Sequence, residues 1–292
     1  MIVSGSASQS LAAALAAELD EPLAGVTVER FPDGEFLTAI SPESADAVAS
    51  AERVVVVSST VTSDAHVELL QLQDAVREVG ADEVVTVIPY MGYARQDRSF
   101  AAGQPVSARA VARAISTGAD RVLTVNPHET VVCDFFDPPA TAIDVAAALA
   151  DPLPADLTDP VFLSPDAGAI EIAETVRDAH GTGTVDHFEK TRHSGRDVEI
   201  APSDVAVDGR DVVVVDDIVA TGGTMSESVT VLDDRGAARV FVACVHPLLA
   251  DTAYTRLARA GVEAIYGTDT IESAGSAVSA ASWIADAIER EG

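Results

Sequence analysis

Val212 to Val215 form an apolar β-branched run that closes on two carboxylates, Asp216 and Asp217, followed by Thr221-Gly222-Gly223-Thr224. The pattern predicts a buried parallel strand, a tight turn and a helix starting near Met225. Backbone N–H groups at a helix start bind a phosphate monoester, because glycines admit the anion closely and the helix dipole favours its charge. The neighbouring carboxylates could then grip sugar hydroxyls or a metal bound to them. Another reactive group stands apart: Lys190 is the only lysine in the chain, followed closely by Arg192 and a stretch rich in Ser, Gly and His. One ammonium among 17 arginines marks a place for a compact point charge rather than a planar fork.

Two common nucleotide motifs are absent. The lysine follows Glu189, so there is no Walker loop, and Gly181-Thr182-Gly183 does not continue into a dinucleotide fingerprint.

Short apolar runs at 53–58, 83–89, 121–126, 160–164, 211–215 and 239–245 alternate with Ala-rich helical patterns. That alternation predicts βαβ units and mainly parallel sheets, an α/β fold. Gly80, Gly118, Gly236 and Gly261 each stand where a helix should end in a left-handed residue. Polar residues gather just after the strands: Arg95-Gln96-Asp97, His128, Asp166 and Asp216-Asp217. In open α/β sheets ligands bind beyond the carboxyl ends of the strands, so these residues mark a binding face. The stretch 150–160, with Pro152, Pro154 and Pro160, reads as a linker or loop between two similar halves.

With 292 residues, the chain is long enough for two domains. We assign 1–144 to the first and 145–292 to the second, with the last helix able to pack on the first. A net charge of -29 excludes nucleic acid and anionic membrane as partners. At molar salt the Debye length falls to about 3 Å, so such a surface suits a salt-rich cytoplasm. Cys133 and Cys244 lie far apart and indicate neither a zinc site nor a disulfide. The chain shows no leader and no apolar run of about 18 residues, which predicts a soluble cytoplasmic protein.

The segment from Asp216 to Thr224 resembles the PRPP-binding motif of the type I phosphoribosyltransferase fold. The chain as a whole resembles the ribose-phosphate pyrophosphokinase family. The family motifs follow in order: Phe31-Pro32-Asp33-Gly34-Glu35, Tyr93-Ala94-Arg95-Gln96-Asp97-Arg98, His128 with Phe135-Phe136-Asp137, and Ser164-Pro165-Asp166-Ala167-Gly168. The resemblance implies two similar phosphoribosyltransferase-like domains, each a mainly parallel sheet flanked by helices. It implies Mg2+-dependent transfer of the diphosphoryl group of ATP to ribose 5-phosphate, giving AMP and PRPP for nucleotide, histidine and tryptophan biosynthesis. It further implies ATP binding by Asp33, Gly34, Glu35, Arg95 and Gln96, and metal ligation by His128 and Asp166. Ribose 5-phosphate would meet Arg192, Asp216, Asp217, Ala220, Thr221, Gly222, Gly223 and Thr224. Lys190 and Arg192 would act from a mobile catalytic loop. An ATP site shared between subunits would require a homo-oligomer, at least a dimer.

The chain departs from the family pattern at Asn126, where a carboxylate often precedes the histidine, at Ala220 within the phosphate loop, and at Ile170-Glu171, where basic residues are common.

Overall fold

A computed structural model describes residues 1–192, 198–202 and 205–290. The chain divides into two compact units, Met1–Asp144 with Thr270–Glu272 and Ser279–Gly292, and Val145–Asp269 with Ser273–Val278.

In the first unit, β1 (Ile2–Ser4) leads into α1 (Gln9–Glu18), and β2 (Val26–Arg30) pairs antiparallel with β3 (Phe36–Ile40). After α2 (Pro42–Ala49) come β4 (Val54–Val57), α3 (Ser63–Glu78), β5 (Val84–Ile88), α4 (Ser107–Ser116), β6 (Arg121–Val125) and β7 (Ala140–Ile143). The sheet runs β1-β4-β5-β6-β7, every pair parallel. Each residue of β4 and β5 is buried, as a strand covered on both faces must be. Leu69, Leu72 and Val76 recur along α3 at helical spacing and pack with Val54, Val56 and Val84. Thr62 caps α3 by accepting the Ala65 N–H at 3.1 Å.

The second unit contains β8 (Val161–Ser164), α5 (Ile170–His180), β9 (Thr184–Arg192), β10 (Val198–Pro202), β11 (Asp211–Ile218), α6 (Gly223–Asp234), β12 (Arg239–His246), α7 (Ala253–Arg259), β13 (Ala264–Thr268) and β14 (Ser276–Val278). Its sheet runs β10-β9-β8-β11-β12-β13-β14, with β10 alone antiparallel to its neighbour. The chain then returns to the first unit, where α8 (Ala281–Arg290) packs on α1.

Two local expectations are corrected, one at Gly118 and one at 150–160. Gly80, Gly236 and Gly261 are left-handed at φ +109°, +80° and +100°. Gly118 is not; a Cβ there would stand 2.6 Å from the Gln73 Cβ, so its glycine serves close packing. The left-handed cap unforeseen in the sequence is Gly181, at φ +87° after α5. The stretch 150–160 is no linker, because it lies within the second unit. Its aspartates are tied down: Asp156 to Arg239 at 3.4 Å and Asp159 to Arg210 at 2.9 Å. Asp33-Gly34, a common turn dipeptide, makes the turn of the β2–β3 hairpin. Gly34 takes φ +96° and donates to the Phe31 carbonyl at 3.0 Å, while Asp33 Oδ1 accepts the Glu35 N–H at 3.1 Å.

Candidate active site

The residues at the end of β11 form the most developed part of the site. The strand continues to Ile218, so Asp216 stands within the ladder, in register with Cys244 of β12. Burial pushes the Asp216 carboxyl well above the usual carboxylate range, and the charge of Asp217 beside it and of Asp166 adds to the effect. Asp216 Oδ1 accepts the Asp217 N–H at 2.9 Å. Asp166 follows β8, the strand parallel to β11, so the strand pair brings three carboxylates to one edge. Asp166 also caps the short helical turn after it, its Oδ1 accepting the Gly168 N–H at 3.0 Å.

The phosphate-type turn forms as its glycines suggest. Gly222 is the N-cap of α6 at φ +68°, and α6 begins at Gly223. The opening N–H groups of a helix have no partner within it and point outward. A second layer, not foreseen from the sequence, holds this turn from behind. Leu249 and Ala250 donate to the Val219 and Ala220 carbonyls at 2.9 Å each, and Val219 donates to the His246 carbonyl at 3.2 Å. Two residues of this strap, Leu249 and Asp251, are left-handed without being glycine, at φ +44° and +55°. No sequence signal marks it. Ala220 is held here through its carbonyl, with its side chain a methyl.

Lys190 and Arg192 lie on the last residues of β9, their backbones in register with Ile200 and Val198 of β10. They are therefore strand residues rather than loop residues, and segment 193–197 between the strands lies outside the described residues.

In the first unit, Arg95 and Gln96 follow the end of β5, and Arg95 is exposed. The Gln96 side chain is committed locally, donating to the Pro105 carbonyl at 3.1 Å and accepting from Ser107 Oγ at 2.7 Å. It anchors the next loop instead of reaching outward. His128 is exposed on the loop after β6. Asn126, left-handed at φ +32°, donates to Asp144 Oδ1 at 2.8 Å. Asp144 thus brings a carboxylate to the place where Asn126 lacks one, another neighbour not anticipated in the sequence.

No three His, Cys, Asp or Glu side chains converge as a ready metal cage among the described residues. The donor chemistry nonetheless fits Mg2+, which keeps several waters and typically takes one or two carboxylates plus substrate phosphates. Asp166 with Asp216 and Asp217 supplies hard oxygens whose mutual repulsion a cation relieves.

Parallel sheets with a glycine-opened turn between a central strand and its helix define this chain as a protein of the type I phosphoribosyltransferase fold. Residues 1–118 match the N-terminal domain of ribose phosphate pyrophosphokinase, and residues 134–275 match the phosphoribosyl transferase domain. The chain belongs to the ribose-phosphate pyrophosphokinase family. It is 66% identical over 288 residues to the ribose-phosphate pyrophosphokinase of Halobacterium salinarum, covering 99% of this chain and 100% of the relative. It is 46% identical over 288 residues to that of Methanosarcina mazei, covering 98% and 94%. The crystal structure of phosphoribosylpyrophosphate synthetase from Mycobacterium smegmatis superposes with a TM-score of 0.84 at 29% identity, over 100% of this chain and 99% of that one.

Proposed function

We propose that this chain carries out the reaction of its family, a diphosphotransfer from ATP to ribose 5-phosphate, with the residues named above. The anomeric oxygen of ribose 5-phosphate bonds to the β-phosphorus of ATP, the bond to the α-phosphate oxygen breaks, AMP leaves, and the anomeric hydroxyl gives up its proton. Such transfer depends on in-line positioning and on charge stabilisation rather than covalent help. The Thr221–Thr224 turn holds the 5-phosphate, and Asp216 with Asp217 grips the ribose hydroxyls. Arg95 takes ATP phosphates, and Asp33, Gly34 and Glu35 on the β2–β3 turn meet the adenine. Lys190 and Arg192 neutralise charge on the transferring group. Mg2+ would be held by Asp166 on the second unit, with His128 the candidate donor of the first, and would supply charge neutralisation of the phosphate oxygens.

The observation that carries this reading is the end of β11. A half-buried carboxyl, raised by desolvation and then by its acidic neighbours, stands just before a left-handed glycine that opens a helix. AMP formed in equal amount to PRPP, from ATP, ribose 5-phosphate and Mg2+ at high salt, is the expected result. No AMP across titrations of metal and salt would sink it.

The active form is a homo-oligomer, at least a dimer, with the hairpin turn completing a neighbour's ATP site. Val28 and Leu37 expose about half of their surface on this two-stranded ribbon, at 54% and 47%. Light scattering at molar salt should give at least twice the 30.1 kDa of one chain. None of the described helices is long and apolar enough to cross a membrane, and the acidic surface supports action in a salt-rich cytoplasm.

A further inference from the structure

His66, on the first turn of α3, is costly where it stands. Both ring nitrogens are sealed from solvent, and neither has a hydrogen-bond partner. Burial lowers its pKa to about 4, so near neutral pH the ring keeps one N–H and one lone pair, both unused. An unmet buried group costs about 1–3 kcal/mol. Leucine or phenylalanine would fill the volume without that cost, so packing alone does not account for an imidazole.

The ring lies against the corner that leads to Arg95. The rings of His66 and Tyr93 are 5.3 Å apart between centroids and tilted by 43°. A Cβ at position 92 would stand 3.1 Å from His66 Nε2 and collide with the Thr60 carbonyl oxygen, so only glycine passes there. The Gly92 N–H donates to Thr60 Oγ1 at 2.9 Å. Tyr93 then turns left-handed at φ +65°, a conformation that costs a non-glycine residue about 1–2 kcal/mol. Its hydroxyl lies 3.0 Å from Ser63 Oγ, and its carbonyl accepts the Gln96 N–H at 3.0 Å. Arg95 is therefore carried on a strained corner, fixed by Thr60 below and by the first turn of α3 at its side. Strained corners persist only where their surroundings over-determine them, and they gather at ligand sites.

We propose that His66 is a positioning residue, which holds the Gly92–Tyr93 corner so that Arg95 meets the phosphates of ATP. The inference rests on the reading of Arg95 as an ATP-phosphate ligand. An imidazole differs from an aliphatic side chain in being able to hydrogen-bond the Gly92–Tyr93 peptide groups when the corner shifts around a ligand. The unmet nitrogens in the free protein then become a contact made only in the complex.

The test is steady-state kinetics and thermal unfolding of His66→Leu, His66→Gln and Arg95→Ala in the full chain at high salt. His66→Leu should unfold at a higher temperature than the parent. It should raise KM for ATP about tenfold, equivalent to about 1.4 kcal/mol, and leave KM for ribose 5-phosphate unchanged. His66→Gln, which keeps a donor and an acceptor, should recover part of that loss. An ATP KM within twofold of the parent in His66→Leu, while Arg95→Ala raises it, overturns the positioning role. If Arg95→Ala leaves the ATP KM untouched, the reading of the loop itself fails whatever His66 does. Should His66→Leu not fold, His66→Phe, which fills the volume without a hydrogen-bonding group, decides: an ATP KM raised about tenfold supports the role, and one within twofold of the parent overturns it.

Discussion

Asp216 is half-buried beside two other carboxylates, and it keeps its proton above the ordinary aspartate value of about 3.9. A carboxyl with a raised folded pKa binds more protons folded than unfolded, so free-enzyme stability falls as pH rises from about that value through the raised one. Asp216→Asn should flatten that fall and raise the melting temperature of the free enzyme at neutral pH, while ribose 5-phosphate KM rises by tenfold or more, about 1.4 kcal/mol. Melting curves across pH and a ribose 5-phosphate titration check both halves. His66 has the opposite linkage, because its folded pKa is lowered from 6.5 to about 4. It adds no pH-dependent penalty above about 6.5, and costs stability as pH falls from there towards 4, because the unfolded chain binds the proton that the folded ring refuses. His66→Leu should therefore lose part of the acid sensitivity in that window. Lys190→Ala should lower kcat by about 10²–10³, the scale for a group that stabilises developing charge, with little change in ribose 5-phosphate affinity. Single-turnover rates and substrate binding measured together test this. At this scale the candidate side chains stood out in the sequence because their types are rare or paired. Their partners did not: nothing in the order of residues says that Tyr93 covers His66, that Asp144 meets Asn126, or that the Gln96 amide is already engaged.

Elements were readable where burial is complete and unreadable where conformation is unusual. The core strands β4, β5, β6, β8, β11 and β12 coincide with the apolar runs to within a few residues, since a strand covered on both faces is a continuous apolar segment. Of the β2–β3 hairpin only the Asp33-Gly34 turn could be read, because β2 is almost wholly exposed and gives its pairing with β3 no apolar pattern. The strap at 246–251 escaped too, since Leu249 and Asp251 adopt left-handed backbone without the glycine that normally announces it. Asp251→Gly removes the Cβ penalty at φ +55° and should stabilise the second unit by a few tenths to about 1 kcal/mol, with kcat unchanged. Gly222→Ala should do the reverse: at φ +68°, with Leu257 Cγ 3.4 Å from the added Cβ, a loss of about 1–2 kcal/mol and a higher ribose 5-phosphate KM are expected. Calorimetry of each variant with and without ribose 5-phosphate separates the backbone effect from the site.

For the whole molecule, charge outweighs any single contact. At -29, self-repulsion opposes the compact state, and salt removes it progressively as the Debye length shrinks from about 10 Å at 0.1 M to about 3 Å at 1 M. The melting temperature should climb steeply with KCl, and activity lost on dilution should return if salt is restored before aggregation. That property was legible from composition alone, because net charge needs no coordinates. The path of the chain was less so. Glu272 Oε1 accepts the Ser10 N–H at 2.6 Å and so caps α1, whose own N-cap Ser8 instead accepts the Ser59 N–H at 2.8 Å. Behind the same helix packs α8. Order of synthesis acquires a meaning from this return: the unit begun first on the ribosome lacks a cap and a packing partner until the final residues emerge. A nascent chain stalled near residue 144 should remain protease-sensitive even at molar salt, and protection of its N-terminal region should arrive only with release of the full-length polypeptide.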